Sequence, residues 1–147
     1  MTTTDNLAED YAKQIARGFY NADPSAPFGY ISDDGEEART LSDVLAAAGI
    51  KKQHRNDYDA DNLPEEWNVV SAMDYISDAL DFRYIVDSDR TFRDAEICIS
   101  LGGPTTWIYT EDATVNVWWG DKSTQSIPYY VRDALREAMA EMWEIGA

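Results

Sequence analysis

The strongest constraint on the fold is a change of hydrophobic period at Asp81. Beyond it Phe82, Tyr84 and Val86 alternate with Arg83 and Ile85. After a turn at Ser88-Asp89-Arg90, Ala95, Ile97, Ile99 and Leu101 alternate with Asp94, Glu96, Cys98 and Ser100. A period of two places successive side chains on opposite faces, so these segments read as strands, the second being the longest. Gly102-Gly103-Pro104 breaks it, Thr105 to Thr110 forms a third strand, Glu111-Asp112 a tight turn, and Thr114 to Trp119 a fourth. Connections this short imply an antiparallel meander. One face is aliphatic and the other carries charges and aromatics, so a single layer of helices is expected to cover one side. Trp107 and Tyr109 point one way and Ile108 the other, while the neighbours Trp118 and Trp119 point to opposite faces. At least one tryptophan therefore lies on the face the main core does not need. It is covered there by the N-terminal region or offered to a partner.

Upstream of the strands the pattern is helical. Asn6 to Tyr20 brings Tyr11, Ile15 and Phe19 onto one face, with Asp5 placed to cap it and Glu9 and Asp10 in its first turn. Asn21 to Gly29, with two prolines, reads as loop, and Asp33-Asp34-Gly35 as a turn. Leu41 to Ala48 forms a short helix with Leu41, Val44, Leu45 and Ala48 on one side, capped by Thr40 or Ser42 and stopped by Gly49. Lys51 to Pro64 is the least regular stretch. Glu65 to Leu80 reads as a helix, because Val69, Met73, Ile76 and Leu80 step by four, three and four. The last element is a helix from Pro128 to Ile145, capped by Ser126, with Val131, Leu135, Ala138, Met139 and Met142 as its apolar stripe. The expected fold class is α+β in a single domain, residues 1–147: a helical and loop-rich subregion over 1–62, then an α-β-β-β-β-α core over 63–147 whose four-stranded antiparallel meander carries helices on one face.

Composition narrows the function. Twenty-eight acidic residues against 12 Lys plus Arg leave a net charge of −16 on 147 residues. Such a chain repels nucleic acid and anionic membranes. A 12% aromatic content distinguishes it from a disordered acidic tail. No run approaches the roughly 18 apolar residues of a membrane span. Met1-Thr2-Thr3-Thr4-Asp5 has no basic region leading into an apolar stretch, and a single cysteine suits a reducing compartment, so the expected location is the cytoplasm.

Catalytic and ligand motifs are weak. A nucleophilic dyad needs a base beside Ser or Cys, and the single histidine, His54, lies in a loop among Lys51, Lys52 and Arg55. Cys98 reads as a small strand filler. Gly102-Gly103 reads as a turn needing positive φ, with no helix behind it to cradle a phosphate. Asp57-Tyr58-Asp59-Ala60-Asp61-Asn62 imitates the start of a calcium loop, but Asn62 stands where glycine makes the bend and Asn68 where a bidentate Glu belongs. The expectation is therefore a solvated acidic loop, with no metal and no cofactor. Carboxylate pairs are so numerous that they do not identify an acid–base enzyme.

The arrangement of charge says more. Asp133, Glu137, Glu141 and Glu144 advance by four, four and three along the last helix, and Asp74, Asp78 and Asp81 by four and three along the middle one. At about 100° per residue the first set lies broadly opposite Leu135 and Met142, in one outward stripe. Like charges so spaced destabilise a helix by roughly 0.2–0.5 kcal/mol per pair, and only Arg132 and Arg136 offset them nearby. Leu63-Pro64-Glu65-Glu66-Trp67, Met73 to Leu80, Leu101-Gly102-Gly103-Pro104 and Val117-Trp118-Trp119-Gly120 resemble small acidic proteins of phages and mobile elements, of the anti-restriction or anti-CRISPR, DNA-mimic type. The resemblance covers about residues 63–146. It implies a non-enzymatic inhibitor acting in the host cytoplasm on a basic nucleic-acid-binding protein or complex of a defence system, without contact to nucleic acid or membrane. The expected contacts are Asp57, Asp59, Asp61, Asp74, Asp78, Asp133, Glu137, Glu141 and Glu144. The alternatives are an acidic accessory or structural phage protein whose charge serves solubility, and a small enzyme using a carboxylate pair.

Overall fold

The computed structural model describes residues 7–146. The alternation beyond Asp81 forms β4 (Asp81–Val86), β5 (Phe92–Ser100), β6 (Thr105–Tyr109) and β7 (Thr114–Trp119), and a further strand, β8 (Asp121–Ser126), extends the meander to five. All neighbours are antiparallel. The fifth strand is the correction to the expected four. Its sequence, Asp-Lys-Ser-Thr-Gln-Ser, has no apolar alternation to announce it. It exists because Gly120, at φ +77°, turns the chain back against β7, where Ser123 and Gln125 lie opposite the core residues Val117 and Val115. A polar edge of this kind also resists pairing with another sheet. Ser126 is consequently the last residue of a strand and not a helix cap. The expected inward Leu101 is exposed, because a register shift between Cys98 and Ser100 ends β5 early.

Ile97, Ile108 and Val115 pair across β5, β6 and β7 and form the central row of the core face. Two helices close over it. In α4 (Tyr129–Gly146), Val131, Leu135, Ala138 and Met139 are buried and Met142 packs at the margin, as the stripe predicts. In α1 (Leu7–Tyr20) the buried line is Ala8, Ala12, Ala16 and Phe19, while Tyr11 and Ile15 ride half-buried on its shoulder. Small alanines let this helix lie close on β7 and β8, and Tyr11 meets Trp119 edge-on at 5.9 Å. Asp5 and Asn6, placed at the start of this helix by their spacing, lie outside the described residues.

The segment Glu65–Leu80 is not one helix. Trp67–Val69 is a strand, β3, and the helix α3 covers only Ala72–Ser77. Glu66 takes φ +74° after Pro64, which turns the chain out of any helix, and Ser71 then starts α3 with a reciprocal capping box to Asp74. Of the expected stripe only Ile76 is fully buried; Leu80 is 57% exposed. β3 pairs with β1 (Tyr30–Ser32), which pairs on its other side with β2 (Glu37–Ala38), giving a second sheet of order β2-β1-β3. The helix α2 (Leu41–Ala47), capped by Thr40, places Val44 with Ala26, Tyr30 and Trp67 in a second small core. Ala48, expected on its apolar side, is exposed beyond the helix end. A 3-10 helix, Lys52–Asp57, follows. No described helix is long and apolar enough to cross a membrane.

Candidate functional site

The site is built first on α4. Its apolar stripe is held to the sheet, so the opposite side must face outward, and Asp133, Glu137, Glu141 and Glu144 are all exposed. The two arginines of this helix do little to cancel them. Arg136 leans onto the sheet: its Nε donates to the Arg93 carbonyl at 2.7 Å and lies 3.3 Å from the buried Asp94 carboxylate. Asp94 in turn accepts from the Thr110 hydroxyl at 2.9 Å, so a buried charge is paired and hydrogen-bonded as it must be. Arg132 donates to the Thr110 carbonyl at 3.3 Å and to Asp133 at 2.6 Å. Asp133 is thus partly neutralised. Among the described residues, Glu137, Glu141 and Glu144 have no cation within ion-pair distance.

Asp74 lies on α3 and Asp78 caps its end, and α3 packs against α4. Both are exposed, but Asp74 gives one carboxylate oxygen to the Ser71 amide at 3.3 Å as part of the cap. Asp81 is the first residue of β4 and does not continue the line. Asp57, Asp59 and Asp61 sit apart, in the loop of the three-stranded unit, all exposed. Asp59 Oδ1 accepts the Asp61 amide at 2.9 Å and Asn62 donates to the Asp57 carbonyl at 2.9 Å, so the loop is tied internally. Among the described residues no three His, Cys, Asp or Glu side chains converge as metal ligands. The structure therefore places Asp74 on a helix that adjoins α4, with Asp78 just beyond its end, and leaves the loop acids elsewhere.

One acidic group escaped the sequence reading. The β1–β2 turn carries Asp33, Asp34 and Glu36, and pairing of β1 with β3 brings Glu65 and Glu66 beside it: the Asp33 amide donates to the Glu66 carbonyl at 2.8 Å. All five side chains are exposed. They are thirty residues apart in the chain, so only strand pairing reveals them. The expected signal was in the pair Asp33-Asp34 and the pair Glu65-Glu66, each unremarked because its partner was unknown.

The sheet face away from the helices carries Trp107 and Trp118, as alternation requires, whereas Trp119 faces α1 and Tyr84 meets Trp143 of α4. Trp107 is buried beneath the Arg83 guanidinium, 4.4 Å from its ring centre, while Trp118 is 36% exposed with Lys122 5.0 Å above it. Cys98 is fully buried on this face, and burial pushes its thiol pKa up. Comparison with protein-family models, with curated proteins and with solved structures finds no match to this chain.

Proposed function

We propose that this protein is a non-enzymatic acidic inhibitor that occupies the basic nucleic-acid-binding site of a host defence complex, a CRISPR effector or a restriction system. The observation that carries the reading is the outward line of Glu137, Glu141 and Glu144 on a helix whose two arginines are drawn aside to the sheet and to Asp133. Carboxylates one helical turn apart give about one charge per 5–6 Å of rise. Duplex DNA carries one per about 1.7 Å, and its binders answer with grooves of Lys and Arg. One helix is sparser than DNA, but the net charge of −16 raises the field. Steering by such a surface speeds encounter with a basic groove and weakens as salt rises.

The test is capture from bacterial host lysate on the immobilised protein, followed by a salt gradient. The expected result is a nucleic-acid-binding complex that elutes with salt and can no longer hold its DNA or RNA while bound. The triple variant Glu137→Lys, Glu141→Lys, Glu144→Lys loses it while keeping its thermal transition. Capture that survives the triple reversal, or a captured complex still free to bind nucleic acid, would remove the reading.

A further inference from the structure

Between α1, the three-stranded sheet and α3 runs an open groove of about 1000 Å³ whose rim includes Asp74 and Asp78 and whose floor the inhibitor reading does not use. Its floor is apolar. Ile15, Phe28, Ile31, Val70, Tyr75 and Ile99 line it and are all only half-buried. Phe28 and Tyr75 lie nearly side by side, with ring centres 4.8 Å apart and planes tilted by 32°. Its rim is acidic: Glu37, Asp43, Asp74 and Asp78 are exposed around it, against one cation, Arg39. Arg39 also borders a separate hollow lined by Lys13, Arg17 and Asp10.

We infer that this groove docks a cationic amphipathic segment of a protein partner, with apolar side chains on the aromatic floor and Lys or Arg against the rim carboxylates. Charge complementarity selects that occupant. Nucleic acid is repelled by the rim, and a second copy of this chain brings another −16. The open shape suits side chains projecting from a segment better than an enclosed small molecule. Binding here differs in kind from the α4 stripe, because burial of apolar floor persists when salt screens the charges. The inference rests on the inhibitor reading only in giving the partner basic character.

The test needs no partner. A fluorescein-labelled peptide of about 14 residues, enough for four helical turns, is made from Leu and Lys, and a second of equal charge from Ser and Lys. At about 0.5 M salt, where charges are screened within a few ångströms, the Leu/Lys peptide is expected to bind at least about tenfold more tightly. Methyl resonances of Ile15, Ile31, Val70 and Ile99 shift on binding, while those of Val115 and Val117 do not. At lower salt, Asp43→Lys with Asp78→Lys weakens the Leu/Lys peptide about tenfold, whereas Glu137→Lys with Glu141→Lys, an equal change of charge, leaves it within about twofold. Equal binding of the two peptides, shifts that miss the groove methyls, or equal loss in both variants overturns the inference. Dimerisation without peptide that Asp43→Lys with Asp78→Lys abolishes also overturns it, assigning the groove to a second copy. The inhibitor reading falls on separate grounds, through the α4 triple variant and lysate capture.

Discussion

The core beneath α1 and α4 is filled by Ile97, Ile108, Val115, Val131, Leu135 and Met139, whereas the core of the three-stranded unit rests on Tyr30 and Trp67 with Val44 and Ala26. Charge follows the same division. Among the described residues all five arginine ion pairs (Arg83–Glu96, Arg93–Asp87, Arg93–Glu111, Arg132–Asp133 and Arg136–Asp94) join residues between β4 and α4. In the small unit no Lys or Arg among the described residues lies within ion-pair distance of a carboxylate, and His54 Nδ1 stands 3.9 Å from the Asp57 carboxylate. The larger unit therefore combines an aliphatic core with a partly compensated surface. The smaller holds together on two aromatic side chains while its carboxylates repel one another. Local stability is expected to differ accordingly, with the small unit opening first.

The sharpest break of that comparison is Trp67→Ala. It removes the largest side chain of the small core and is expected to cost about 3–5 kcal/mol. Hydrogen exchange is then lost from residues 26–69 while β5, β6 and β7 keep their protection; simultaneous loss in both regions would mean the two cores are one cooperative unit. Leu135→Ala supplies the mirror experiment. It is expected to cost about 2–5 kcal/mol in urea unfolding, and exchange protection should fall in both regions, because α4 holds the sheet on which the rest is built.

A smaller effect comes from Tyr30, whose hydroxyl donates to Asp23 at 3.0 Å and whose pKa is pushed up to about 12 by burial, the Asp23 hydrogen bond and the Asp23 charge. The folded state keeps this proton where the unfolded chain, near 10, releases it. Its stabilisation is therefore full below pH 10 and disappears as pH rises towards 12. Tyr75, also raised to about 12 chiefly by burial, adds to the same loss. Tyr30→Phe is expected to cost about 1 kcal/mol at neutral pH and to flatten the alkaline fall of the thermal transition. An unchanged slope would place the loss elsewhere. The smallest expected effect is ionic: raising salt from about 0.1 to 1 M shortens the screening length from about 10 to 3 Å. Protection in the small unit should rise by less than about 1 kcal/mol and more than in the large one.

What the sequence revealed depended on how each element obtains its stability. Strands β5, β6 and β7 were legible because one face of each is buried in the main core. β4 is an edge strand with only Phe82 and Ile85 half-buried, and Tyr84 and Val86, expected on the face of Phe82, are exposed. The α4 stripe was legible because its apolar and acidic residues share one helix, and periodicity relates them without tertiary knowledge. Strand β8 was not legible, since an edge strand of Ser, Thr and Gln draws its order from β7 and from α1 above it. The helix expected over 65–80 failed because the same spacing serves two environments: Val69 belongs to the small core and Ile76 to the large one. Ser71, three residues before Asp74, was the signal that marked the true start. The acids of the β1–β2 turn and of Glu65-Glu66 were invisible as a group, because their proximity is a product of pairing between distant segments.

Gly18 has a further consequence. A Cβ on it would meet the Arg39 guanidinium at 2.5–2.9 Å, so this turn of α1 is a socket, and the side chain that fills it comes from the end of β2. Glycine inside a helix costs about 1 kcal/mol relative to alanine, and here the loss secures a seat for a guanidinium from a different sheet. Gly18 thereby leaves room for a contact between α1 and the segment that follows β2. A larger residue at position 18 would push the Arg39 guanidinium off this turn of the helix and break that contact.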